Sequence, residues 1–203
     1  STPHLQETML LRDALPALRV LGQVQVTYIA AEGPDGIYLI DQHAAHERVV
    51  FERVLGKSTT GAPESQSLME PATVKLDPRQ NEMVKTHADI VLGLGFMVEP
   101  FGDYTFILRG VPALLSGNDP GQGLVDVLES MAEGGGFESW EERAAYSMAC
   151  HGAIRAGMRL GQQQMSELTR QLEACKLPQT CPHGRPTMIH LTSARLEREF
   201  GRR

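Results

Sequence analysis

Two short runs of this sequence carry side chains suited to holding a metal ion. The first is Asp41-Gln42-His43-Ala44-Ala45-His46-Glu47-Arg48. His43 and Glu47 are four residues apart, so on a helix they share a face and can approach one ion. Asp41 stands at the junction of a strand and that helix, as a third oxygen ligand or as the helix cap. A solvated His–Glu pair is the alternative for the spacing taken alone. The second run is Cys181-Pro182-His183-Gly184-Arg185-Pro186. Read as extended chain, it points Cys181 and His183 the same way, a thiolate and an imidazole aimed at one point. Two prolines and a glycine stiffen it, which lowers the entropy lost on fixing both ligands. A buried thiol beside a turn histidine is the other reading of that run. Together His43, Glu47, Cys181 and His183 offer the nitrogen, oxygen and sulfur set typical of zinc and tolerable to manganese. With Asp41 and Glu47 a second ion could sit near the first, the arrangement that serves phosphodiester hydrolysis.

Other candidates are less specific. Cys150 and His151 lie mid-helix among small residues, where a cysteine is a core residue or a ligand. Arg155 and Arg159, four apart, form a cationic face for phosphate or a solvated one. The order His43, His46, Glu47 matches neither the His-Glu-x-x-His protease helix nor its inversion, and the Pro-Cys-x-x-Cys of zinc deaminases is absent.

The elements that must position these residues read as follows. An amphipathic start (Leu10, Leu11, Leu15, Leu18) leads to an alternating strand, Gln23 to Ala30, with Val24, Val26 and Tyr28 on one face. Pro34-Asp35-Gly36 turns the chain into a second strand, Ile37 to Ile40, ending at Asp41. A helix is expected over Ala44–Val54, stopped by Gly56, then a linker over Lys57–Ser67 and a lobe boundary near Pro71. Beyond it come a strand (Thr73–Leu76), a helix from Asp77-Pro78 through Leu94, a hairpin (Phe96–Pro100, Tyr104–Arg109) and a helix, Gly121–Glu133. Gly134-Gly135-Gly136 closes that lobe. A long helix (Trp140–Leu160), another (Gln163–Ala174), an extended Cys181–Thr192 and a short helix from Ser193 complete the chain. The expected class is α/β of the α+β kind, in two lobes. Residues 1–71 plus 140–203 form a mixed-sheet dimerisation lobe with the metal site, and residues 72–139 an inserted βαββα external lobe. Val24, Val26, Tyr28, Ile37 and Leu39 supply an apolar dimer surface.

In 203 residues, 41% hydrophobic and 22% charged, there is enough apolar material for a core, which excludes disordered and fibrous classes. Three cysteines without an export signal argue against a disulfide framework, and no apolar run spans a bilayer, so a cytoplasmic protein is expected. A net charge of -6 argues against strong DNA binding by this piece alone, although Arg195, Arg198, Arg202 and Arg203 form a basic tail. The opening Ser-Thr-Pro lacks a methionine, so a segment of something longer is expected.

The residues also resemble a known family. Asp41 to Glu52 looks like the DQHAxxERxxxE endonuclease motif of MutL C-terminal domains, and Ala149 to Arg155 like their ACxxAI(K/R) segment. Cys181 to Pro186 is similar to their CPHGRP, and Phe200-Gly201-Arg202 to their terminal FxR. The four motifs occur in order from Asp41 nearly to the chain's end; the lobe from Pro71 to Gly134 matches only in position and coarse pattern. The resemblance implies DNA mismatch repair, a homodimer, and a zinc-binding, manganese-stimulated site for nicking duplex DNA. That site would be built from Asp41, His43, Glu47, Cys181 and His183 with Cys150 nearby, and Arg185 or Arg202 in support. It also implies that Gln66-Ser67-Leu68-Met69-Glu70-Pro71 binds the replication sliding clamp, with Gln66, Leu68, Met69 and Pro71 making the contact; a plain lobe connector is the alternative. The family's ATPase region, and with it any use of ATP, is N-terminal and has no counterpart here. The mismatch-recognition protein MutS is a partner only through the full-length form, and the expected location is cytoplasmic and nucleoid-associated. His46 falls at a variable motif position and adds a potential competing ligand. The rival from another class is a noncatalytic, zinc-stabilised dimerisation and partner-binding domain.

Overall fold

The computed structural model describes residues 15–57, 64–117, 119–133, 136–154 and 157–202. Leu10, Leu11, Gly134, Gly135, Arg155, Arg203 and part of the expected linker lie outside them. The class is α+β, built on two sheets. The first sheet contains β1 (Arg19–Val24), β2 (Tyr28–Gly33), β3 (Gly36–Asp41) and β7 (Met188–Thr192), in that spatial order. The second contains β4 (Ser65–Lys75), β5 (Met97–Gly102) and β6 (Thr105–Pro112), with β6 central. Every described pairing is antiparallel, so the mixed sheet expected for the first lobe is an antiparallel one. The physical reason is that the late strand β7 returns against β3 in the opposite direction, with Tyr38 opposite His190.

One expected strand is in fact two. Between Val24 and Tyr28 the chain reverses through Gln25 and Val26, both with positive φ (50° and 55°), and Thr27 N–H donates to Val24 O at 3.1 Å. A hairpin turn with two left-handed central residues, here within the three-residue loop Gln25–Thr27, matches the strands' twist, but it ordinarily takes Asn or Gly. Here Gln42 imposes it: its side chain, fully buried, donates to Val26 O at 3.0 Å, and its own N–H donates to Thr27 O at 3.1 Å. Val26 therefore leaves the strand face on which the alternation placed it.

Helix α1 (Gln42–Lys57) starts directly at the end of β3 and runs past Gly56. It is the shared wall of the molecule. Ala45 and Val49 face the first sheet and α6 (Gln162–Glu173), in a core with Ile29, Ile40, Leu168 and Leu172. Val50 and Phe51 face a second core with α5 (Trp140–Gly152), α4 (Pro120–Glu133) and the inner side of the second sheet. Leu15 and Leu18 pack half-buried against the first core.

Strand β4 begins at Ser65 and continues past Pro71, its pairing with β6 interrupted between Ser67 and Ala72, so the strand expected from Thr73 is its second half. The helix expected from Asp77 through Leu94 is broken at His87 into α2 (Pro78–Thr86) and α3 (Ala88–Gly93). Its start is as expected, a reciprocal cap between Asp77 and Gln80. The long helix expected to Leu160 ends at Gly152, because Ala153 turns extended (φ -73°, ψ 148°). A last helix, α7 (Ser193–Glu199), follows β7. Among the described residues no helix is long and apolar enough to cross a membrane.

Candidate metal centre

The first ligand run sits where β3 hands over to α1. Asp41 Oδ1 accepts the N–H of His43 at 2.9 Å and of Ala44 at 3.0 Å, two of the free donors of the first helical turn. One turn on, Glu47 is buried, its side chain 6% exposed, and its two oxygens face two imidazoles. Oε1 lies 3.1 Å from His43 Nε2 and Oε2 3.1 Å from His183 Nδ1. A neutral ring nitrogen with its lone pair toward a carboxylate oxygen is repulsive, so each contact needs a proton or a cation between the partners.

The second run is not extended, as its sequence suggested. It is a tight hairpin: Thr180 bridges Pro186, Gly184 N–H donates to Cys181 O at 2.9 Å, and Cys181 N–H donates to Arg185 O at 2.8 Å. Gly184 closes it with φ 77°, a conformation in which a β-carbon is penalised. The turn, rather than strand alternation, brings Cys181 Sγ to 3.8 Å from His183 Nδ1, the nitrogen that faces Glu47. Ligand atoms of Glu47, Cys181 and His183 all lie within 4.8 Å of one another. Cys150, on α5, sits across the ring with its Sγ 3.4 Å from His183 Nε2. Tyr146, one turn earlier on α5, packs its ring against His183 at 4.9 Å between centroids.

Electrostatics complete the description. Burial, then the Glu47 carboxylate, push the Cys150 thiol up to about 11. Burial raises Cys181 as well, against the opposing backbone hydrogen bonds of Arg185 and His183. The protein's own field therefore keeps both thiols protonated at neutral pH, and a divalent cation is the charge that reverses this preference. Among the described residues this is a donor set of mixed N, O and S type that fits zinc: carboxylate, imidazole and thiol converge from two segments with a buried floor.

Several neighbours were not legible as functional. Arg48, buried on α1, donates from Nε to Thr180 O, and Glu52 accepts the N–H groups of Lys176 at 2.7 Å and Leu177 at 3.0 Å. These two residues hold the backbone that leads into Cys181. Their spacing of four was visible, but nothing local said that their partners lie more than a hundred residues away. His46 takes the Ile154 N–H on Nδ1 at 2.9 Å, so that nitrogen is committed to the backbone. Burial, then Arg53 and His43, lower His46 to about 4.

Other predicted residues stay apart from this convergence. Asp41 is absorbed as the cap. The Arg185 side chain is exposed beside the turn, and Arg202 lies past α7 in a shallow groove with Leu196 and Phe200. Gln66, Leu68, Met69 and Pro71 belong to β4, which pairs Ser67 with Gly110 and next Ala72 with Leu108. Residues 68–71 are thus extruded opposite the single residue Arg109, with Met69 fully exposed, Gln66 and Pro71 exposed, and Leu68 turned toward the core.

The face of the first sheet away from its core is apolar. The register places Val24 beside Tyr28, Ala30 beside Leu39, Leu39 beside Ile189, and Ile37 beside Leu191. Val24, Tyr28 and Ile189 are 45%, 42% and 59% exposed, a density of apolar side chains that a sheet face in water does not ordinarily carry.

Residues 21–160 match the family described as MutL C terminal dimerisation domain. The chain is 43% identical over 184 residues, 89% of its length, to a DNA mismatch repair protein MutL of Phenylobacterium zucineum, covering 30% of that protein. It is 42% identical to the MutL of Caulobacter vibrioides strain NA1000, over 89% of the chain and 29% of the relative. To the MutL of Methanothrix thermoacetophila it is 37% identical over 99% of the chain and 37% of the relative. The chain thus spans about a third of the length of the curated relatives it matches.

Proposed function

The chain belongs to the MutL C-terminal dimerisation domain family, and from that membership we propose a homodimerisation module of DNA mismatch repair that carries a metal-dependent endonuclease nicking duplex DNA. The observation that carries the nuclease reading is the meeting of Glu47, Cys181 and His183, brought together from opposite ends of the chain. In this reading zinc is the bound ion, manganese serves catalysis, and His43, Glu47, Cys181 and His183 hold the metal, with Asp41 and Cys150 at the rim. When bound, a divalent ion supplies Lewis-acid polarisation of a phosphodiester oxygen. The chain's residues do the rest. Asp41 fixes the first turn of α1, Glu47 offers one oxygen to each imidazole, and the Gly184 turn holds Cys181 and His183 rigidly opposite. Arg185, exposed beside the turn, is suited to a phosphate oxygen, and Arg202 is a supporting cation.

The outer face of the first sheet is the proposed homodimer surface, and the second sheet with α2, α3 and α4 the external lobe. The extruded 68–71 segment, with Met69 presented to solvent, is the proposed contact with the replication sliding clamp. Contact with MutS, use of ATP, and a cytoplasmic, nucleoid-associated location belong to the full-length protein in the same proposal.

The test is nicking of supercoiled plasmid by the full-length form with manganese and clamp present. Glu47→Lys is expected to abolish it and Asp41→Asn to reduce it at least about tenfold; full activity in both would overturn the assignment. One observation favours a second reading, a noncatalytic zinc-stabilised dimerisation domain: Asp41 spends Oδ1 on the helix start. If chelation unfolds the protein and no divalent ion ever yields cleavage, that reading stands instead.

A further inference from the structure

Two histidines of α1, three residues apart, grip the same residue of another segment. Ile154 follows the end of α5, where Ala153 has already turned extended. Its N–H donates to His46 Nδ1 at 2.9 Å, and its carbonyl lies 2.9 Å from His43 Nδ1. Chemistry assigns both rings. A nitrogen that accepts from an amide carries no hydrogen, so His46 holds its proton on Nε2. A nitrogen facing a carbonyl must be the donor, so His43 holds a proton on Nδ1, and its Nε2 meets Glu47 Oε1 across a second proton or a cation.

We infer that His46 is a positioning residue: by holding the Ile154 N–H it fixes the carbonyl of the same residue, and that carbonyl sets the tautomer and aim of His43. The histidine at position 46 is a backbone clamp here rather than a competing ligand. The clamp also ties the end of α5, and with it Cys150, to the helix that carries Glu47. Orienting groups behind a ligand histidine govern both its tautomer and its affinity for metal. The affinity arm of the test rests on the metal-centre reading above; the spectroscopic arm does not.

The experiment uses the whole chain in three single variants and in the double variant His46→Leu with Ile154→Pro. His46→Leu removes the acceptor, His46→Asn keeps an acceptor oxygen near the position of Nδ1, and Ile154→Pro removes the donor, the extended Ala153 being compatible with a following proline. Ring-nitrogen NMR of the metal-free protein reads the hydrogen-bonded Nδ1–H of His43, and competition with a chromophoric chelator reads zinc affinity. The wild type is expected to show an Nδ1–H of His43 held in a hydrogen bond, lost in His46→Leu and in Ile154→Pro and retained in His46→Asn. Zinc is expected to bind roughly 10- to 100-fold more weakly to His46→Leu, to recover most of that in His46→Asn, and to bind the double variant no worse than the weaker single. An unchanged Nδ1–H hydrogen bond in both His46→Leu and Ile154→Pro would overturn the clamp, as would fully additive losses of affinity. A wild type that takes up no zinc would sink the metal centre, while the ring-nitrogen spectra still decide the clamp.

Discussion

Glu47 is the residue on which the site turns, since its carboxylate contacts the imidazoles of both His43 and His183. Its burial is affordable only because both oxygens have partners. His46 has a different kind of consequence. Its folded pKa of about 4 lies below its ordinary value of 6.5, so the native state binds fewer protons than the unfolded chain between those limits. The contribution is complete above pH 6.5 and is lost as the pH falls toward 4, with a ceiling of about 3 kcal/mol. Denaturant unfolding at pH 7 and pH 5 should show this slope in the wild type and a flatter one in His46→Asn. Equal slopes would mean that the ring is not held neutral. Much of this scale was legible in advance: the His43–Glu47 spacing and the Cys-x-His pair named the donors. What could not be read was that Asp41 Oδ1 caps the helix, because capping and ligation call for the same carboxylate at the same position.

At the level of elements, the hairpin between β1 and β2 is held in a conformation its residues resist. Left-handed Val26 is β-branched and far from its preferred region, and Gln42 compensates with a buried hydrogen bond to its carbonyl. Val26→Asn, a residue that tolerates this conformation, should stabilise the fold by about 1 kcal/mol, read as a higher midpoint in denaturant. A lower midpoint would mean that the Val26 side chain packs better than its backbone suffers. The same strain explains why the turn escaped detection: without Gly, Asn or Pro, the alternation of Gln23 to Ala30 continues through it. The 181–186 hairpin escaped for a related reason, since an x-Pro-x-Gly string fits an extended arm and a turn equally, and only the Cys181–Arg185 backbone pairing decides between them. Helix starts were better marked than helix ends. Asp41 and Asp77 announce themselves chemically, whereas α5 ends at Gly152 because of where the next segment must go.

For the molecule as a whole, α1 belongs to both cores and carries His43 and Glu47 of the proposed metal centre on a third side, so each face of one helix has a separate task. The uncovered face of the first sheet is the natural seat for a second copy, and Ile189, the most exposed large apolar residue on it, is the position to probe. Ile189→Asp should shift sedimentation from dimer to monomer without changing zinc uptake; an unaltered dimer would place the interface elsewhere. The division into two sheets was legible from the spacing of turns and apolar runs, while the sharing of α1 was not, because an amphipathic pattern reveals one buried stripe more readily than two. Glu47 and His183, finally, are 136 positions apart. A ribosome exposes the carboxylate long before the imidazole that answers it, so the nascent chain has no centre to load. The cluster of Glu47, Cys181 and His183 exists only after the 180–186 hairpin has been made and docked, so any cation the proposed centre holds reports that synthesis has already passed that hairpin.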